Sequence, residues 1–136
     1  MTFYPIAPVA APRMTKKDRW AKRPVVMRYF AFRDAVRLAK ITLPPLPCKV
    51  IFWVEMPESW SKKKRAEMDG MPHLVRPDRD NFDKALMDAL FANDAHIWSL
   101  WPEKRWTTTP GIEINQIFTP LRAVACPGIP PSAGRP

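Results

Sequence analysis

Four side chains in the middle of the chain could do chemistry together. Asp78 and Asp80 stand two residues apart in Pro77-Asp78-Arg79-Asp80-Asn81, Lys84 follows four residues on, and Asp94 comes after the next apolar run. Three carboxylate ligands from different elements, with positions left open for water and phosphate, suit Mg²⁺. Such an ion can polarise a phosphodiester, generate hydroxide and steady the leaving oxygen. Lys84, one helical turn from Asp80, would be placed to meet the scissile phosphate or the charge developing on it. The rest of the chain is basic, with 22 Lys and Arg against 13 Asp and Glu and a net charge of +9. That excess attracts polyanions, whereas the acids alone would repel phosphate unless a cation stood between. A plainer reading uses the same residues: a loop and helix cap, followed by an exposed Asp80, Lys84, Asp88 ladder of i,i+4 pairs worth about 0.3 kcal/mol each.

The elements that must position these residues can be read from periodicity and breakers. Phe3 to Val9 is short, apolar and bounded by proline, which predicts an edge strand. Val25 to Lys40 is expected to be helical, with Tyr29, Phe32, Val36 and Ala39 on one face. Prolines 44, 45 and 47 end it. Cys48 to Met56 is the strongest strand, and its near-continuous apolar run predicts a central position with both faces covered. Ser59 would cap a helix from Trp60 to about Met68, with Gly70 past its end. Asp80 to Phe91 predicts a helix with Phe82, Ala85, Leu86, Ala89 and Leu90 on one face and Asp80, Asp83, Lys84 and Asp88 on the other. Pro77 holds its approach extended, so that Asp78 and Asp80 point the same way. His96 to Trp106 and Ile112 to Thr119 read as strands around a turn at 107–111. The order β, α, β, α, α, β, β predicts an α/β (α+β) fold, a small mixed sheet with packed helices.

At 136 residues the chain is one domain's worth, expected to span 1–126, with a flexible proline-rich tail at 127–136. Cys48 and Cys126 show no metal-binding spacing, which implies a reduced intracellular protein without structural zinc; a surface disulfide between them is the alternative. No apolar run reaches the roughly 18 residues that a membrane span needs, and the start lacks the pattern of a signal peptide. The expected location is the cytoplasm.

The run Pro77-Asp78-Arg79-Asp80-Asn81, then Lys84, Asp88-Ala89-Leu90 and Asp94, resembles the RusA family of Holliday junction resolvases, often carried by phages and prophages. The likeness extends through Pro12-Arg13, Met56-Pro57, Ser59 to Arg65, His73, Lys104 and Gly111 to Ile114. The resemblance implies a compact α/β fold and a homodimer that binds four-way DNA junctions. It also implies paired symmetric cuts in recombination and repair, using Mg²⁺ or Mn²⁺. By position it assigns metal binding and catalysis to Asp78, Asp80 and Asp94, and a catalytic role to Lys84. The chain departs from the family at Asn93-Asp94-Ala95-His96, where the family commonly has two adjacent acids, a small residue and Gln.

Contact with DNA is expected from the loop carrying Arg13, Lys16, Lys17, Arg19, Lys22 and Arg23 around Trp20, since cations meet phosphates and an aromatic can stack at an open junction. Lys62, Lys63, Lys64 and Arg76 are further candidates. His73, Asn81, Asp88 and His96 could support the metal ligands from behind. Trp53, Trp60, Trp98, Trp101 and Trp106 are expected mostly in the core or a dimer interface. The rival to a nuclease is a non-catalytic DNA-binding accessory protein. A third reading keeps the chemistry but changes the substrate to RNA or another DNA structure.

Overall fold

The computed structural model describes residues 1–13 and 23–117. These form β1 (Thr2–Tyr4), α1 (Pro24–Leu38), β2 (Cys48–Glu55), α2 (Lys62–Met68), α3 (Arg79–Leu90), β3 (Leu100–Thr107) and β4 (Gly111–Gln116). The order of types matches the expectation from sequence. β2, rich in β-branched and aromatic residues, pairs in parallel with β3 from Cys48↔Leu100 to Glu55↔Thr107. On its other side it pairs antiparallel with β4, and β1 adds to β4 antiparallel, giving a mixed sheet ordered β1-β4-β2-β3. The chain is thus a small mixed sheet packed with helices, the α/β architecture expected from its sequence.

The core lies between the sheet and α1 and α3. Phe32 and Val36 of α1, Val50 and Phe52 of β2, and Phe82 and Leu86 of α3 are among its buried members. The Phe52 and Phe82 rings stack with centroids 5.6 Å apart, which joins α3 to the central strand. Cys48 is fully buried at the start of β2 as a free thiol. Among the described residues no helix is long and apolar enough to cross a membrane.

Several expected boundaries move. β1 stops at Tyr4, just before Pro5, and does not reach Val9. α1 buries Val26, Phe32 and Val36, while Ala39 is exposed beyond its end. α2 starts at Lys62 because Ser61, and not Ser59, caps it: its Oγ accepts from the Lys64 N–H at 3.2 Å. β3 begins only at Leu100, since turns occupy the residues after Asn93. β4 ends at Gln116, and Thr119 lies outside the described residues, as do Cys126 and the expected tail.

The expectation that both faces of β2 are covered holds only in part. On the alternate side only Ile51 is buried, while Lys49 and Trp53 beside it are half-buried and join a polar lattice. Lys49 pairs with Glu103 at 2.8 Å, Arg105 with Glu103 at 3.0 Å, and the Trp53 indole donates to Glu113 at 3.0 Å. Trp98 and Trp101, more than half exposed, do not join the core, whereas Trp106 does.

Gly111 opens β4 where β1 crosses close to it. A Cβ there would meet the Phe3 ring and, at 2.8 Å, the Tyr4 carbonyl oxygen. Gly111→Ala must therefore push β1 away from β4, at an expected cost of about 1–3 kcal/mol. A denaturant melt checks this, and an unchanged midpoint would show that β1 yields without loss.

Candidate active site

The segment between α2 and α3 is laid along the outer edge of β3. Gly70 N–H donates to Trp106 O and Trp106 N–H to Met71 O, both at 2.9 Å, and His73 N–H donates to Lys104 O at 3.1 Å. Lys104 then turns its ammonium onto the same segment, donating to Val75 O at 2.5 Å and Pro77 O at 2.7 Å. Burial lowers the pKa of Lys104, and the nearby charge of Asp78 opposes that shift. The backbone leading into Asp78 is held by a strand residue.

From there the chain enters α3 at once. Asp78 is the N-cap in extended conformation, but its side chain makes no capping bond, and Asp80 falls in the first turn. The two acids are therefore not successive positions of one extended segment, as expected from sequence. A helix start puts them on one cleft instead. That cleft, about 540 Å³, is also lined by His73, Arg79 and Lys104. Asp78 and Asp80 are both exposed.

Asp94 sits in a tight turn. The Asn93 side-chain oxygen accepts from Ala95 N–H at 2.8 Å, and Ile97 N–H donates to Asp94 O at 2.9 Å. The amide of Asn93 thus fills a turn-forming role that an acid could also fill. His96 is exposed, with its ring edge-on to Phe91 at 4.8 Å, and does not open a strand. Asp94 makes itself felt at Asp83. Burial raises the Asp83 pKa most; Asp94 and Asp80 raise it further, against the pull of Arg79. One Asp83 oxygen is buried without a hydrogen-bond partner among the described residues. This corrects the placement of Asp83 on the solvent face: Met87, one turn on, is buried and widens the buried arc to include it.

Among the described residues, no three His, Cys, Asp or Glu side chains converge closely enough to hold a metal by themselves. Mg²⁺ rarely needs such a cage: it commonly takes one or two carboxylates, keeps waters and completes its shell with substrate phosphates. Two exposed carboxylates on an open cleft, with unmet repulsion behind them at Asp83, fit that mode.

Lys84 does not point at these acids. Its ammonium meets Asp88 at 3.3 Å, and Asp88 also accepts from the Tyr29 hydroxyl of α1 at 3.0 Å. Asp88 therefore parks Lys84 and ties α3 to α1. Asn81 supports the site through its backbone, its carbonyl accepting from Ala11 N–H at 3.0 Å. That bond brings Arg13, two residues on, to the root of α3. Arg23 donates to Arg13 O at 3.1 Å, joining the two ends of the basic loop. Lys16, Lys17, Arg19, Trp20 and Lys22 lie outside the described residues. Lys62, Lys63 and Arg76 are exposed, Lys64 sits 4.3 Å over the Trp60 ring, and Arg65 is used internally on Pro57 O at 2.8 Å.

His73 is only 3% exposed, with its ring 4.2 Å from that of Trp106. Its Nδ1 has no partner among the described residues. Burial first, and then Lys104, lowers its pKa and keeps the imidazole neutral. The role of Lys104 was missed by sequence reasoning, although a signal existed: it shares the strand parity of the buried Trp106, where an unpaired lysine is out of place.

A family model described as Endodeoxyribonuclease RusA matches residues 5–116. No curated protein and no solved structure matches the chain.

Burial of Asp83, with the repulsion of Asp94 and Asp80 added, makes stability depend on pH. A carboxyl whose folded pKa is raised binds its proton more tightly when folded, so stability is lost as pH rises through the ordinary carboxylate range towards the folded value. Asp83→Asn should be more stable than the parent at neutral pH, by on the order of 1 kcal/mol. The gain should vanish in acid, where Asp83 is protonated in both states. Metal-free melts at several pH values measure this, and a gain that is constant with pH would remove charge as the cause.

Proposed function

The chain belongs to the RusA endodeoxyribonuclease family, and from that premise we propose that it is a Mg²⁺-dependent endonuclease resolving four-way DNA junctions. It would act as a homodimer in the cytoplasm of a bacterial or phage-infected cell, within one domain covering residues 1–126. The observation that carries the reading is the joint presentation of Asp78 and Asp80 on one open cleft of a strongly basic chain. Family membership supports nuclease activity in general; the metal, the junction and the roles of individual residues are the proposal.

Asp78 and Asp80 would hold the ion, with waters and substrate phosphate filling its shell; Asp94, which does not line the cleft, would join them only through a shift of its turn, and Mn²⁺ could replace Mg²⁺. When bound, the ion supplies a Lewis acid and an activated water. The residues of the chain do the positioning. Lys104 fixes the backbone that carries Asp78, and the neutral His73 lines the cleft without adding a second cation. Arg13 and Arg76 neutralise flanking phosphates. Lys84 is held by an exposed ion pair of small worth, so exchanging Asp88 for a phosphate or developing oxyanion costs little. Two chains are needed because a four-way junction offers two symmetry-related phosphates, one for each site.

One observation favours the non-catalytic accessory reading, the lack of a three-ligand group among the described residues. Cleavage assays on four-way junction, linear duplex and single strand, with and without Mg²⁺, separate the two.

Asp78→Asn and Asp80→Asn should abolish cleavage while junction binding stays intact or tightens, because each removes a charge that repels phosphate. Loss of binding by the folded variants without metal would make the acids structural. Lys84→Ala should keep stability within about 0.5 kcal/mol of the parent, as surface changes usually do. Its single-turnover cleavage of a pre-bound junction should fall on the order of 100-fold. A parental rate would take lysine out of the mechanism.

A further inference from the structure

The rim of the acid cleft ends in an aliphatic tip. Leu74 is 84% exposed and Val75 57% exposed, and Leu74 lines the same cleft as Asp78 and Asp80. We propose that Leu74 and Val75 form an apolar wedge that enters an unstacked base step of the DNA beside the phosphate held at the acids. The proposal rests on the reading of this cleft as the phosphate site.

Three observations favour a base step as the occupant. The tip is anchored on both sides, by His73 N–H on Lys104 O before it and by the Lys104 ammonium on Val75 O and Pro77 O within and after it. Inserting an anchored tip costs less ordering than inserting a free loop. The flanking Arg76 and Arg79 are exposed, and a cationic border around an apolar tip complements a base stack between phosphates. The cleft also argues against a protein partner. A chain seated on Leu74 would cover Asp78 and Asp80, whereas an inserted tip leaves both acids facing the strand. Successive bases rise by about 3.4 Å, so a tip four residues from Asp78 is within reach of the steps next to the scissile phosphate. Aliphatic side chains carry no hydrogen-bonding code, so the wedge would select for an opened step and not for a sequence. Branch points already expose such steps, where the unstacking cost is least.

The test uses the full-length protein and a four-way junction carrying 2-aminopurine at the crossover, without metal, with binding followed separately by gel shift. Binding of the parent should raise the probe's fluorescence. The double variant Leu74→Ser, Val75→Ser should still bind, lose that rise and cut at least on the order of tenfold more slowly with Mg²⁺, as the burial of both aliphatic side chains is lost. Leu74→Met should retain both, since it keeps an apolar side chain of similar reach. Thermal melts check that these exposed substitutions leave the fold intact. A parent that binds but leaves the probe stacked, or a double variant that keeps the rise, overturns the proposal. So does a double variant that changes oligomeric state in light scattering, because the tip would then contact a second copy. A parent that opens the step yet never cuts with Mg²⁺ would sink the nuclease reading and leave the wedge standing.

Discussion

The residues between α2 and α3 have no helix or strand of their own, so their backbone groups must find partners elsewhere. The outer edge of β3 offers unpaired groups with the same need. Each satisfies the other, through the bonds of Gly70, Met71 and His73 with Trp106 and Lys104. Lys104 extends the arrangement past the end of the ladder. A charged donor shared between two carbonyls is stronger than a neutral one, and it reaches the residues just before Asp78. The position of the acids is thereby inherited from the sheet: β2 holds β3, β3 holds the segment, and the segment delivers Asp78 to the start of α3.

The charges divide along α3. Towards its end, Asp88 is satisfied by Tyr29 and Lys84. Towards its start, Asp83 feels Asp94 and Asp80 with only Arg79 opposing, and Asp78 has Lys104 nearby. One helix thus carries a neutralised end and an end with negative charge to spare. Such an end favours a cation between the acids and an incoming phosphate, while the basic remainder of the chain favours the polyanion itself.

Much of this was legible in sequence, and the exceptions share a cause. α3 announced itself through the spacing of Phe82, Leu86 and Ala89, and Pro57 marked the end of β2, whereas α1 stops at Leu38, well before Pro44. Asp78 and Asp80 stood out because acids in a basic chain need a reason. What failed depended on contacts between distant segments. Asp83 looked solvent-facing until Met87 proved buried and widened the covered arc. The apolar run from His96 onward looked like strand, but the Asn93 side chain captures the Ala95 amide and bends the chain first. Lys104 gave only a parity clue, since its partners are carbonyls of a loop far away in sequence. Charge counting nominated Lys62, Lys63 and Lys64 together and could not foresee that Lys64 lies over the Trp60 ring.

The thiol at the start of β2 is closed off twice. Cys48 has no exposed surface, and burial, helped by Asp83, pushes its pKa up to about 11. Only a thiolate with access to solvent reacts with an alkylating reagent, so native Cys48 is inert at neutral pH until the core around it opens. With Cys126 replaced by serine, the labelling rate of Cys48 becomes a clock for that opening, readable without substrate, metal or any optical change in the protein.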